Sequence, residues 1–185
     1  MKKVLLLLLV LVMMSPVFAR GAAEVASETK ATDKGTLVVA MQADARSLDP
    51  QATNDQPSAR VMKQIYETLM HQDEELNITN GLATGYEVLS PTEYQFTLKK
   101  GVKFHNGEEL TANDVKFTFE RMRAVNAPGG FLVDALDRVE VLDNYTFKMI
   151  LKFPFGPFIT HLAHPATAII NEKAVNAAGQ DYGRN

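Results

Sequence analysis

Residues 94–121 read Tyr94-Gln95-Phe96-Thr97-Leu98-Lys99-Lys100-Gly101-Val102-Lys103-Phe104-His105-Asn106-Gly107-Glu108-Glu109-Leu110-Thr111-Ala112-Asn113-Asp114-Val115-Lys116-Phe117-Thr118-Phe119-Glu120-Arg121. Three elements follow from local chemistry. Tyr94, Phe96 and Leu98 alternate with Gln95, Thr97 and Lys99, the period of a strand with one buried face. Val102 to Phe104 predicts a second short strand, ended by Asn106-Gly107, a dipeptide that tolerates positive φ in a tight turn. Thr111 with Asp114 three residues on forms a capping box in which Asp replaces the usual Glu or Gln. It opens a helix over Ala112 to Ala124, with Val115, Phe119 and Met122 on one face and Phe117 offset. Ala127-Pro128-Gly129-Gly130 stops it.

Upstream, Thr36 to Met41 is short, β-branched and apolar throughout, which predicts a strand buried on both faces. A polar loop follows from Gln42 to Gln56. Between Pro57 and Met70, Val61, Met62, Ile65, Tyr66, Leu69 and Met70 recur at spacings of three and four and predict an amphipathic helix capped by Ser58 or Asp55. Asp73-Glu74-Glu75 is a charged turn, and Tyr86 to Ser90 a strand separated from Tyr94 to Lys100 by a Ser-Pro turn. Downstream, Val139 to Leu142 and Tyr145 to Leu151 flank Asp143-Asn144, a two-residue hairpin signal. Phe158 to Leu162 predicts a short helix, Ala166 to Ile170 a brief strand, and Glu172 to Ala178 a helix stopped by Gly179.

Composition narrows the class. The chain has 185 residues, 46% hydrophobic and 22% charged, with Lys+Arg 19 against Asp+Glu 22 and a net charge of −3. Such proportions describe a globular chain and offer no broad basic field for nucleic acid. The count of Cys is 0, which excludes disulfides, thiolate metal sites, a Cys nucleophile and the lipidated Cys of a lipoprotein. At the N-terminus, Lys2-Lys3, the apolar run Val4 to Met14 and Val17-Phe18-Ala19 form the three regions of a signal peptide, too short to span a bilayer. Residues 1–19 are therefore expected to be removed on export, with Ala22 and Ala23 as alternative cleavage positions. Residues 20–35 read as a flexible leader, and 36–185 as the folded part.

Catalytic motifs are missing. No phosphate-binding loop, dinucleotide fingerprint or nucleophile elbow occurs. His161 and His164 are three apart on a predicted helix, a spacing compatible with one metal ion, but no third ligand is near and Pro165 follows. His71 and His105 carry no partner pattern. Asp44 and Asp49 read as turn residues ahead of acid–base partners. No catalytic residue, metal or cofactor is expected.

The 94–121 stretch resembles the signature of family 5 extracellular solute-binding proteins, the peptide, nickel and oligosaccharide receptors of ABC importers. Further segments agree in order: Ser47-Leu48-Asp49-Pro50, Tyr66-Glu67-Thr68-Leu69, Gly81-Leu82-Ala83, Val141-Leu142-Asp143-Asn144-Tyr145-Thr146-Phe147 and Gly183-Arg184-Asn185. Tyr86 stands where the family usually has Trp. The resemblance implies an α/β chain forming part of a bilobed type II periplasmic-binding-protein-like fold: one main-lobe strand plus an accessory α+β subdomain, the second lobe being absent. It implies a monomeric, non-enzymatic periplasmic receptor without a lipid anchor. Its partners would be a small solute, foremost an oligopeptide, and ABC permease subunits. In relatives the loop after the first strand lines the cleft, which carries Asp44, Ala45 and Arg46 over as candidate ligand contacts. Nickel, oligosaccharides, or a truncated product that binds nothing are the alternatives within the family. A self-standing interaction domain is the alternative outside it.

Overall fold

The computed structural model describes residues 35–184. The predicted signal peptide and nearly all of the predicted leader lie outside them. The chain divides into two units, Met1–Val39 and Ala40–Asn185. Of the first, the described Gly35 to Val39 carries no helix or strand. The predicted strand over Thr36–Met41 is therefore not formed, and Leu37 and Val38 are 86% and 88% exposed. An apolar run becomes a strand only where neighbouring strands accept its hydrogen bonds, which composition alone does not supply.

In the second unit the elements are α1 (Gln56–Met62), β1 (Met70–Gln72), β2 (Ile78–Asn80), β3 (Ala83–Ser90), β4 (Glu93–Leu98), α2 (Ala112–Ala124), β5 (Leu136–Val141), β6 (Thr146–Leu151), α3 (Phe158–His161) and α4 (Glu172–Ala178). Strands β1 and β2 form a hairpin, and the others an antiparallel sheet in the order β3-β4-β6-β5. Alternation in β4 places Tyr94, Phe96 and Leu98 inward, and β6 does the same with Phe147, Met149 and Leu151. Phe96 opposes Phe147 in the register, and their rings stack 5.3 Å apart at 8°. A register shift between Leu136 and Arg138 in β5 resets the alternation, so both Leu136 and Val139 face the core despite an odd spacing. Val115, Phe119 and Met122 of α2 complete this core.

The signature behaves as read. Asp114 Oδ2 accepts hydrogen bonds from the Thr111 N–H and Oγ1, each at 3.0 Å, and the helix spans the predicted residues. Gly107 takes φ +86° in the turn. The Val102–Phe104 strand shrinks to one bridge, Lys103 to Glu109, since its only partner is the short return segment before α2. Three further expectations change. The helix predicted to reach Met70 ends at Met62, because Thr68 and Leu69 turn extended and accept from Leu82 N (2.9 Å) and Gly81 N (3.1 Å). A Cβ on Gly81 would lie 2.4 Å from the Thr68 carbonyl oxygen, so this close crossing requires glycine. Ala166–Ile170 is buried but forms no strand: a 3-10 turn covers Pro165–Thr167, and the Ile169 and Ile170 N–H groups go to Glu67 O and Thr118 Oγ1. The Asp143-Asn144 hairpin is wider than two residues, its loop held by Asp143 Oδ1, which accepts from Tyr145 N at 2.8 Å and Thr146 N at 2.9 Å.

Asp55 caps α1: its Oδ1 accepts from Ser58 N at 3.0 Å, while Oδ2 accepts from the Ser58 and Thr53 hydroxyls. Those bonds, the Thr53 hydroxyl first, favour the carboxylate and lower its pKa to about 2. A depressed acid stabilises the fold above its unfolded pKa of about 4 and ceases to do so as pH falls through the folded value. Carbon-detected NMR titration should thus give Asp55 a midpoint near 2, against the ordinary 3.8. A midpoint at the ordinary value would remove the cap from the account of α1.

Candidate functional site

The motif segments that lie far apart in the chain meet in one place. Ser47 to Gln51 leaves the polar loop and becomes buried, with Asp49 5% and Gln51 1% exposed. Arg121, the last residue of the signature, reaches Asp49 from α2 in a two-pronged ion pair, Nη2 to Oδ2 at 2.7 Å and Nη1 to Oδ1 at 3.1 Å. Its Nη1 also donates to Gln51 Oε1 at 2.7 Å, and Gln51 Nε2 donates to Thr118 O at 2.8 Å, one turn back on α2. The guanidinium sits over the Tyr182 ring, 5.5 Å from its centre, and the Tyr182 and Tyr66 hydroxyls are 3.3 Å apart. Burial raises the pKa of both phenols, so they stay neutral.

Gly183 closes this clasp. Its carbonyl accepts from Leu48 N at 2.7 Å, its φ is +71°, and a Cβ there would stand 2.1 Å from the Asp49 nitrogen. Only glycine allows that approach. Asp49 Oδ1 also accepts from Gln51 N at 2.9 Å, which makes Asp49 a turn residue and an ion-pair partner rather than half of an acid–base pair with the exposed Asp44. Among the described residues, every buried side-chain nitrogen and oxygen has a hydrogen-bond partner. A clasp with all its donors and acceptors occupied internally is a scaffold, not a reactive centre.

Asp44 and Arg46 are exposed and Ala45 is half-buried, in a loop held by the Arg46 N–H donating to Ser58 Oγ at 2.9 Å. These three line neither of the two grooves described next. The larger groove, about 660 Å³, runs between α1 and the turns after α3 and includes Lys63, Glu67, His161 and His164. A second of about 580 Å³ lies beside Tyr66, Phe104, His105 and Tyr182.

The histidine pair is not arranged for a shared metal. His161 Nδ1 lies 2.9 Å from Leu132 O and must donate to it, leaving Nε2 with the lone pair. His164 Nδ1 accepts from Ala166 N at 3.1 Å, so its proton sits on Nε2, and burial lowers its pKa. One imidazole thus offers Nε2 as an acceptor and the other as a donor. No group of three metal-capable side chains occurs among the described residues.

An antiparallel sheet with one packed helix and this polar clasp defines part of a type II periplasmic-binding-protein fold. The match to known proteins agrees. The family model of bacterial extracellular solute-binding proteins, family 5 (middle region), covers residues 77–185. The glutathione-binding protein GsiB of Salmonella choleraesuis (strain SC-B67) is 38% identical over 152 residues, 80% of this chain and 29% of the relative. GsiB of Escherichia coli (strain K12) is 35% identical over 150 residues, with the same shares. Among solved structures, Burkholderia pseudomallei OppA superposes with a TM-score of 0.72 at 22% identity, over 78% of this chain and 32% of that one. DppA of Helicobacter pylori, an ABC transporter-associated periplasmic binding protein in complex with the peptide STSA, gives 0.66 at 27% identity, over 75% and 31%. The chain belongs to family 5 of the bacterial extracellular solute-binding proteins, a family of binding proteins rather than enzymes. It spans less than a third of the length of the curated relatives it matches.

The residues of the clasp were all in the sequence, yet Arg121 and Asp49 are 72 positions apart and no spacing rule joins them. The signal that could have found them is their presence in separate motifs of one family, each without a local partner.

Proposed function

We propose that this chain is part of the receptor of an ABC importer that captures a short peptide in the periplasm and hands it to membrane permease subunits, acting as a monomer without a lipid anchor, cofactor or nucleic acid. The observation that carries this reading is the 38% identity over 152 residues to glutathione-binding proteins, glutathione being itself a tripeptide. A peptide-bound neighbour of the same fold supports it. The loop carrying Asp44, Ala45 and Arg46 is the proposed contact on this side of the cleft. Anchored through its backbone to Ser58, it leaves side chains of both signs in solvent, which suits the two charged ends of a peptide.

Saturation-transfer NMR on the 185-residue chain with reduced glutathione, trialanine and maltotriose tests it. Transfer to the two peptides and none to the sugar is expected. One wall of a two-lobed cleft desolvates a ligand from one side only, so the dissociation constant should fall near ~1 mM. In the Asp44→Asn, Arg46→Gln variant the affinity should drop about threefold, the scale of exposed charge contacts. Transfer to maltotriose alone would overturn the peptide reading.

A further inference from the structure

The titratable lining of the larger groove is one-sided. Lys63, His71, Lys99, His161 and His164 border it, against a single carboxylate, Glu67, in a chain whose net charge is −3. Among the described residues none of the five basic side chains forms an ion pair. We infer that this groove is an anion site, taking a small molecule with at least two negative oxygens, either a phosphoryl compound or a polycarboxylate. The site is separate from the Asp44–Arg46 loop and does not depend on the peptide reading.

Chemistry at the base of the groove fits such a ligand. The neutral His164 presents an Nε2–H donor, since its Nδ1 is engaged by Ala166 N. His161 keeps Nε2 free as an acceptor while its Nδ1 holds Leu132 O. The charges of His161 and Lys63 add to burial in lowering the His164 pKa, which places these three groups within mutual electrostatic reach. An anion between them relieves that repulsion; Lys63 and Lys99 add positive charge to the groove, and Glu67 opposes it.

The test is a titration of the 185-residue chain with pyrophosphate, citrate and, as a zwitterion, trialanine, at constant ionic strength and pH, following the imidazole resonances of His161 and His164. Saturable shifts are expected with at least one of the two anions. A response to pyrophosphate alone marks a phosphoryl ligand, and one to citrate alone a carboxylate; either supports the site. The Lys63→Gln, Lys99→Gln variant alters only exposed side chains and should weaken binding about tenfold, while Lys116→Gln, on α2 away from the groove, should leave it within twofold. No saturable shift with either anion, equal losses in both variants, or an equal response to trialanine would overturn the inference.

Discussion

Replacing Arg121 with alanine should destabilise the fold by about 3–5 kcal/mol, the loss typical of breaking a buried ion pair from one side. The side chains of Arg121 and Asp49 are 16% and 7% exposed, so the carboxylate left behind has little water to turn to. Gln51 loses an acceptor contact and the Tyr182 ring its cation in the same step. For a domain of this size the thermal midpoint should fall on the order of 10 °C. Arg121→Lys keeps the charge but not the two-pronged geometry and should land between the two. A double-mutant cycle with Asp49→Asn separates the pair from its surroundings. Strict additivity of the two single losses would mean that the clasp contributes no coupling, and the account of how the motifs meet would fail.

Phe147→Ala should have an effect of the same order, about 3–5 kcal/mol, for a different reason. Phe147 is fully buried in β6 and stacks on Phe96 of β4, so truncation leaves a cavity between two strands whose backbones are already hydrogen-bonded in register. The sheet cannot close over it without breaking the ladder. The stacked pair adds about 1 kcal/mol beyond the area lost. Urea unfolding should show a lower midpoint with an unchanged slope. Tyr86→Ala, on the edge strand β3 where the ring is 40% exposed, should cost less than half as much. Equal losses at the two positions would place the core elsewhere than between this sheet and α2.

Much of the fold was legible because its signals are local. The alternation of Tyr94, Phe96 and Leu98, the Thr111–Asp114 capping box, the span of Ala112–Ala124 and the Gly179 stop each depend on residues within a few positions of one another. Where expectations failed, a distant partner had decided the conformation. The stripe from Val61 to Met70 satisfies a helical period, but Leu69 and Met70 are fixed by backbone bonds to Gly81, Ala83 and Leu162. Thr36–Met41 has the composition of a buried strand, but composition does not supply the partner a strand's backbone needs, and no helix or strand is formed there. Ala166–Ile170 has the apolar content of a strand, yet its first N–H groups turn back on His164 and Pro165 while those of Ile169 and Ile170 go to Glu67 O and Thr118 Oγ1.

The candidate site divides along the same line. That Asp44, Ala45 and Arg46 form a polar loop after an apolar run could be read directly, as could the family that the motif series resembles. The clasp could not: Ser47–Gln51, Tyr66, Arg121 and Gly183 come from segments far apart in the chain that meet beside α2. Nor could the basic groove, whose Lys63, Lys99 and His164 come from three separate segments. Sequence by itself determined the strands of the four-stranded sheet, the capped helix and membership of a solute-binding family, since those rest on periodicity, turn chemistry and order of motifs. Which charges are paired, which are left facing a cavity and which glycine must remain glycine were decided only by tertiary structure, because each depends on a distance between residues that the chain separates by tens of positions.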